Sequence, residues 1–482
     1  MNVIGIDLGL SALKIVLVNE VGTLIAQERI PLTLQSPHPG WAEQNPSAWW
    51  KAVQDGFLAL KQNHSNALRK ARAMSITAGA HIAVLCNAKA EPLRPAILWN
   101  DQRASAQAKR LTELGIDTEI AGNCANPTWT LPQLIWLHEH EPELKFDRIY
   151  FAKDWLRAQF TGDHMTDPSD ACGAMLCDYR TEGWSQALCA EAHITPQQLP
   201  KIVPHHELAG TINPKVAADL GLPPELVIAI GAIDTSAEWL CCGPLKQGAM
   251  SLKLASAGVV SITTQAAAPA PPISRYPHLD PAYNYFAAGM NQCASAIDWA
   301  ANLFFSDSTI DSFFDAAIKS PIGANGVQFH PYLNGERAPL WQSDLTASFS
   351  QMTRATNRND IARAVLEGVG FAFRDIWLSL PNTLINEQTM QEHIALIGGG
   401  TRSAIWCQII ANILGKHCYV PQYYDAAYGA ALIASAASQQ DILRQSMLGA
   451  IKIEPEKSAN QDYLAHYENF INARKQLYSC DN

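Results

Sequence analysis

Val3-Ile4-Gly5-Ile6 opens the chain as a short apolar run, and Leu13 to Val18 returns as another, with Asp7-Leu8-Gly9-Leu10-Ser11 between them. Apolar and β-branched residues on both sides of a Gly-containing turn predict a hairpin. Gly22 to Gln27 extends it to a three-stranded meander. A loop from Pro37 to Pro46 leads into a helix that starts near Ser47 and carries Trp49 and Trp50. Ala73 to Ala78 is strand-like and ends at Gly79-Ala80-His81, where His81 is a lone polar group before the apolar Ile82 to Leu85. Leu226 to Ile230 is a nearly unbroken apolar strand, the kind buried on both faces. It ends at Gly231-Ala232-Ile233-Asp234, with a helix expected from Thr235 or Ser236.

Strand-like residues between Ala249 and Thr263 flank Ala255-Ser256-Ala257-Gly258, a second strand–turn–strand unit that loosely echoes the first. The Pro/Ala-rich stretch 266–277 reads as a surface loop. Asp360 can cap a helix whose apolar positions Ile361, Val365, Val369, Phe373 and Ile376 recur at helical spacing. A strand over Ile394 to Ile397 runs into Gly398-Gly399-Gly400-Thr401-Arg402-Ser403, followed by a helix that buries Trp406, Ile409, Ile410, Ile413 and Leu414. Asp425 to Ala434 is another small-residue helix entry, and the polar tail from Pro455 is read as helical. Alternating strands and helices define an α/β protein.

A chain of 482 residues exceeds one comfortable core, so two domains are expected, 1–245 and 246–482. The last helix of the second could pack back on the first. With 48% hydrophobic and 17% charged residues the cores are well filled. A net charge of −10 argues against a general binder of nucleic acid or anionic membrane. Eleven scattered cysteines without a C-x-x-C pair, and no signal peptide, point to reduced thiols in a cytoplasmic protein. No apolar run reaches the length of a bilayer-spanning helix.

Asp7 stands where the first strand ends. A carboxylate there can hold a hydrated Mg²⁺ while Gly9 lets backbone N–H groups approach an anion, or it can simply cap a turn. Lys14 is a charged partner for the same anion, or a solvated strand residue.

Several segments in order are similar to the FGGY carbohydrate kinases. They are Ile4-Gly5-Ile6-Asp7-Leu8-Gly9, Pro37-His38-Pro39-Gly40-Trp41-Ala42-Glu43-Gln44, Trp49-Trp50 and Leu93 to Asp101. Ser169-Asp170-Ala171, Pro331 to Pro339, Ala362 to Val369 and Gly398 to Ser403 continue the series across nearly the whole chain. The resemblance implies two actin-like (ribonuclease H-like) domains with a ligand cleft between them. It also implies phosphoryl transfer from ATP, with Mg²⁺, to the terminal hydroxyl of an open-chain ketose, D-xylulose foremost. Its partners are then the sugar and MgATP, and a homodimer is compatible with the family although the sequence shows no interface.

By the same resemblance Asp234 takes the base position, where a helix N-cap is the competing role. Asp7 becomes the metal-side carboxylate. Gly9, Ser11 and Lys14 would surround the phosphates, joined by Ser256 and Gly258 of the second hairpin. Ala80, His81, Asp234 and Thr235 would face the sugar, with Trp99, Asn100 and Asp101 forming or supporting that wall. Gly399, Gly400 and Ser403 would take the nucleotide at a helix N-terminus; a tight turn without ligand is the alternative. Arg363 and Glu367 are read as structural.

Six positions depart from the family pattern. Leu10 replaces a usual Thr, and Ala255-Ser256-Ala257 replaces Gly-Thr-Ser. Each lost bond to a charged group costs roughly 1.5–3 kcal/mol, so a catalytically weak binder of sugar or nucleotide is one alternative. Ala80 and Thr235 stand for Met and Asn, which makes another ketose or a polyol the second.

Overall fold

The computed structural model describes residues 1–243, 246–265, 268, 270–306, 309–384, 393–438 and 449–478. The chain forms two compact units, one of residues 1–245, 267–284 and 423–448 and the other of 246–266, 285–422 and 449–482. The division is therefore not a single cut after residue 245. The last helix, Lys457–Tyr478, belongs to the second unit, where it packs on the helix Arg358–Ser379.

In the first unit the apolar runs form β1 (Asn2–Leu8), β2 (Ala12–Val18), β3 (Leu24–Pro31), β4 (Ala71–Ala78), β5 (Leu208–Thr211) and β6 (Val227–Ala229). Their order in the sheet is β5-β6-β4-β1-β2-β3. The meander β1-β2-β3 is antiparallel, while β4 runs parallel to β1 and β6 parallel to β4. One face is covered by the helix Pro46–Leu68, which sends Trp49, Phe57 and Leu60 against Ile4, Ile6 and Ile15. Asn45 caps that helix by accepting from Ser47 N at 2.9 Å, and Pro46 at its first position has no N–H to leave unpaired.

The other face is covered by the helix Ala426–Ala437, in one cluster with Val3, Val16, Ala73 and Ala229. The reason for Gly5 lies here. A Cβ at that position would stand 1.9 Å from Ala427 O, so the helix rests on bare strand backbone. Gly429 does the same for the helix Asp234–Cys241, where a Cβ would stand 2.0 Å from Ala237 O.

The second unit repeats the plan with β7 (Met250–Leu254), β8 (Gly258–Thr264), β9 (Asn284–Met290), β10 (His393–Ile397), β11 (His417–Val420) and β12 (Ile451–Ile453). Within a seven-stranded sheet their order is β9-β8-β7-β10-β11-β12. Again the central hairpin is antiparallel and its first strand has a parallel neighbour, β10. The two hairpins are thus topologically equivalent, which gives the loose sequence echo its meaning.

Three local expectations shift. The third meander strand is Leu24–Pro31, and the helix expected from Thr235 or Ser236 begins at Asp234. The stretch 266–277 is not all loop: residues 266, 267 and 269 lie outside the described residues, and Ser274–Pro277 is a strand that buries Arg275 and Pro277. All ten described cysteines are free. Among the described residues no helix is long and apolar enough to cross a membrane.

Candidate active site

Asp7 lies near the end of β1, in register with Lys14 on β2 and Thr77 on β4. It is half-buried, and its carboxyl is pushed up to about 8, first by burial and then by Asp234, Glu238 and Asp425, with Lys14 opposing. Lys14 Nζ is 3.8 Å from the Asp425 carboxylate. Gly9 keeps the approach to Asp7 clear, since a Cβ there would stand 3.1 Å from Ala12 O and 3.9 Å from Asp7 Oδ2. Ser11 is exposed and its hydroxyl accepts from Arg29 Nη2 at 3.3 Å. The apolar Leu10 packs against the core of the unit, while its carbonyl accepts from Gln44 Nε2 at 2.7 Å.

The segment after β6 brings Asp234 beside Asp7. Gly231 has φ +82°, and a Cβ there would stand 2.1 Å from Ile76 O. Thr77 Oγ1 then donates to Ala232 O at 2.7 Å, and Ile233 bridges Ala78 in parallel. Asp234 Oδ1 accepts from Thr235 N at 2.6 Å and from Thr235 Oγ1 at 3.2 Å. One oxygen thus serves the first turn of the helix, as a cap would. Oδ2 has no hydrogen-bond partner among the described residues.

His81 has φ +52°, held by two backbone bonds. Its N–H donates to Asp170 Oδ1 at 2.7 Å and its carbonyl accepts from Thr130 Oγ1 at 2.6 Å. The imidazole is 6% exposed, and its Nδ1 has no partner among the described residues. Burial holds its pKa down at about 3, so the ring is neutral near pH 7. Trp129 lies 5.5 Å away, centroid to centroid. Gly173 leaves room between His81 and Tyr276, because a Cβ there would be 3.3 Å from one ring and 3.5 Å from the other. The Tyr276 hydroxyl is held protonated by burial, with the charges of Cys172, Asp234 and Asp170 adding to it.

Beneath these residues is a buried charge network. Lys153 Nζ lies 2.7 Å from Asp154, 3.0 Å from Asp167 and 3.3 Å from Asp170. Arg157 Nη1 donates to Asp154 Oδ1 and to Ile230 O, each at 2.6 Å. The Ser169 hydroxyl donates to Asp167 and accepts from Ile233 N at 3.3 Å. The His81 turn and the strand end before Asp234 therefore hang on one network. On the flank, Trp99 is 44% exposed and covers Gly79, where a Cβ would stand 2.8 Å from its ring. Asp101 is fully buried and accepts from Ala42 N at 2.6 Å and from Arg103, so it supports the loop 37–44.

In the second unit, parallel pairing of β7 with β10 places the turn 255–257 and the segment Gly398–Ser403 at the same end of adjacent strands. Ser256 is exposed. Gly258 is required by packing, since a Cβ would stand 2.7 Å from Met290 and 2.8 Å from Phe373. Gly400 is likewise packed, with the Trp406 ring 2.3 Å from any Cβ, whereas Gly399 is open but for Arg402 at 3.8 Å. Ser403 caps the helix Ala404–Leu414, its hydroxyl accepting from Trp406 N at 3.4 Å. Arg363 and Glu367 are structural: Glu367 accepts from Arg363 Nε at 2.6 Å and from the Tyr463 hydroxyl at 3.0 Å.

Glu238, Asp425 and Tyr276 were not legible as site residues. Glu238 shares a helix face with Asp234 at i,i+4, a spacing that could have flagged it. Asp425 and Tyr276 reach the site only through long-range folding. Four carboxylates facing one lysine are a hard-oxygen environment short of positive charge, which suits Mg²⁺. The described residues contain no set of three or more side chains that could hold a metal ion alone. The arrangement fits a cation shared with phosphate oxygens and water.

The profile of the FGGY family of carbohydrate kinases, N-terminal domain, matches residues 2–241, and that of its C-terminal domain matches 257–438. The xylulose kinase of Escherichia coli K12 is 33% identical over 98% of both chains. A gluconokinase of Bacillus licheniformis is 26% identical over 98% of this chain and 96% of its own. The crystal structure of a xyloylose kinase from Brucella ovis superposes with a TM-score of 0.92 at 30% identity, covering 100% of each chain. Twin strand–turn–strand units, an Asp at the end of the first and a second Asp past an apolar strand thus have one common explanation: the chain belongs to the FGGY family of carbohydrate kinases.

Proposed function

We propose that this kinase transfers the γ-phosphoryl group of MgATP to the terminal hydroxyl of D-xylulose, giving D-xylulose 5-phosphate and ADP. The observation that carries the reading is Asp234, with one carboxylate oxygen tied to Thr235 and the other unbonded, close to Asp7 and Tyr276. Asp234 takes the hydroxyl proton as the sugar oxygen bonds to the γ-phosphorus and the bond to the ADP oxygen breaks. His81, neutral near pH 7, bonds a sugar hydroxyl in this reading, and Ala80 and Thr235 shape the rest of the sugar's surroundings. Asp7, with phosphate oxygens and water, would hold Mg²⁺, which neutralises charge on the phosphates when bound. Lys14, Gly9 and Ser11 attend the phosphates from the first unit. Ser256, Gly258, Gly399, Gly400 and Ser403 take the nucleotide in the second, Gly399 with the most open backbone. The ten described cysteines, all free, support a reducing, cytoplasmic setting.

Likeness to the Escherichia coli xylulose kinase supports the choice of sugar. Ala80 and Thr235 favour a second reading, in which another ketose or a polyol is the acceptor. The test is ADP release from MgATP with D-xylulose, D-ribulose, L-ribulose, L-xylulose and glycerol, for the wild type and Asp234→Ala. Turnover with D-xylulose should fall by about 10²–10⁴ in Asp234→Ala while ATP binding persists. Turnover with a different acceptor sinks the sugar and keeps the base. ATP binding without turnover on any acceptor would point to a weak homologue, with Leu10 and Ala255 as the cause.

A further inference from the structure

The segment Pro331 to Pro339 carries a buried acid that the site above does not use. Glu336 is 3% exposed. Its Oε1 accepts from Asn291 N and from Arg337 N, each at 2.7 Å, while Oε2 is buried without a partner among the described residues. Around it the loop clasps the end of β9. Arg337 Nε donates to Asn291 Oδ1 at 2.9 Å, Arg337 Nη2 to Met290 O at 3.0 Å, and Asn291 Nδ2 to Asn334 O at 3.1 Å. Ala338 N adds a bond to Gly289 O at 3.0 Å.

The next residues hold the turn of the second hairpin. Cys293 N donates to Ser256 O and Ala294 N to Ala255 O, both at 2.9 Å, and Ser295 Oγ donates to Ser256 O at 2.7 Å. Two carbonyls of the turn, those of Ala255 and Ser256, are thereby drawn toward residues 293–295, and Ser256 is left exposed. The chain of bonds is short: Glu336 fixes the amide of residue 291, and two residues later the same backbone fixes the turn. A carboxylate that satisfies two amides at once is hard to replace, because a buried amide left unpaired loses its bond to water as well.

We infer that Glu336 is a positioning residue for the phosphate-facing turn at Ser256, acting through the backbone of residues 291–295. This rests on the proposed nucleotide role of Ser256. The accepting oxygen is what matters, so glutamine, which keeps a carbonyl oxygen, substitutes for it and alanine does not.

The experiment compares Glu336→Ala, Glu336→Gln, Asn291→Ala and Ser256→Ala. Affinity for an imido analogue of ATP is read by titration calorimetry, and KM for ATP and for the sugar by ADP release. Glu336→Ala should weaken analogue binding and raise the ATP KM about tenfold, a change of about 1.4 kcal/mol, with the sugar KM unchanged. Glu336→Gln should stay close to the wild type. Wild-type ATP affinity in Glu336→Ala, an equal rise in both KM values, or a glutamine variant as impaired as alanine overturns the inference. Should Glu336→Ala fail to fold by circular dichroism, Asn291→Ala decides, since it deletes two clasps outside the backbone bonds. It should raise the ATP KM by a smaller factor, and no rise overturns the inference. Ser256→Ala tests the underlying reading separately: unchanged analogue binding there removes the nucleotide role of the turn, whatever Glu336 does.

Discussion

Burial and three neighbouring carboxylates lift Asp7 to about 8, and the sign of the consequence follows. Between its ordinary value near 3.8 and about 8, the folded protein holds a proton that the unfolded chain has released. Stability at this site is therefore greatest at low pH and declines as pH rises through that window. The melting temperature of the unliganded protein should fall from pH 5 to pH 8, and Asp7→Asn should flatten the decline in differential scanning fluorimetry. MgATP should offset it, because a cation beside the carboxylate favours the ionised form. His81 does not contribute to an activity profile in this range, since its ring stays neutral down to about pH 3. Leu10 offers a second residue-scale test. Its side chain packs on the core, so Leu10→Thr should cost about 1 kcal/mol of stability in urea melts. The same change should lower the ATP KM if the restored hydroxyl reaches a phosphate.

At the scale of elements, the buried network under the His81 turn joins the helices Ala152–Thr161 and Pro168–Gly173 to the strand end before Asp234. Asp170 links it to the site through the His81 amide. Asp170→Ala removes one of three acids around Lys153 and frees that amide. The expected loss is about 3–5 kcal/mol in denaturant unfolding, by analogy with other broken buried pairs. A raised sugar KM with unchanged ATP affinity should accompany it. A stability loss without the KM shift would make the network purely structural.

For the whole molecule, the chain returns to its first unit at 423–438 after building most of the second. The helix Ala426–Ala437 covers Val3, Val16, Ala73 and Ala229, so a chain ending at residue 422 exposes that face of the sheet. Such a truncation should aggregate or bind a hydrophobic dye strongly, although residues 1–243 are intact in it. A truncated chain that stays soluble and melts cooperatively would contradict this account of the first core.

Local pattern carried much of this protein. The continuous apolar runs named the central strands, Asn45-Pro46 sits where the first long helix begins, and the family resemblance singled out Asp7, Asp234 and His81 as candidates. These are properties of neighbouring residues, and neighbours along the chain determine strand, turn and helix. At some turns packing has the same local signature as ligand approach: Gly258 and Gly400 also make room for Met290, Phe373 and Trp406. What only the tertiary structure decided was company. Glu238 and Asp425 gather on Asp7, Tyr276 leaves an apparent loop to face His81, and Gly5 exists for a helix that follows more than four hundred residues later. Electrostatic shifts and close backbone approach depend on distances through space, and a linear pattern does not contain those distances.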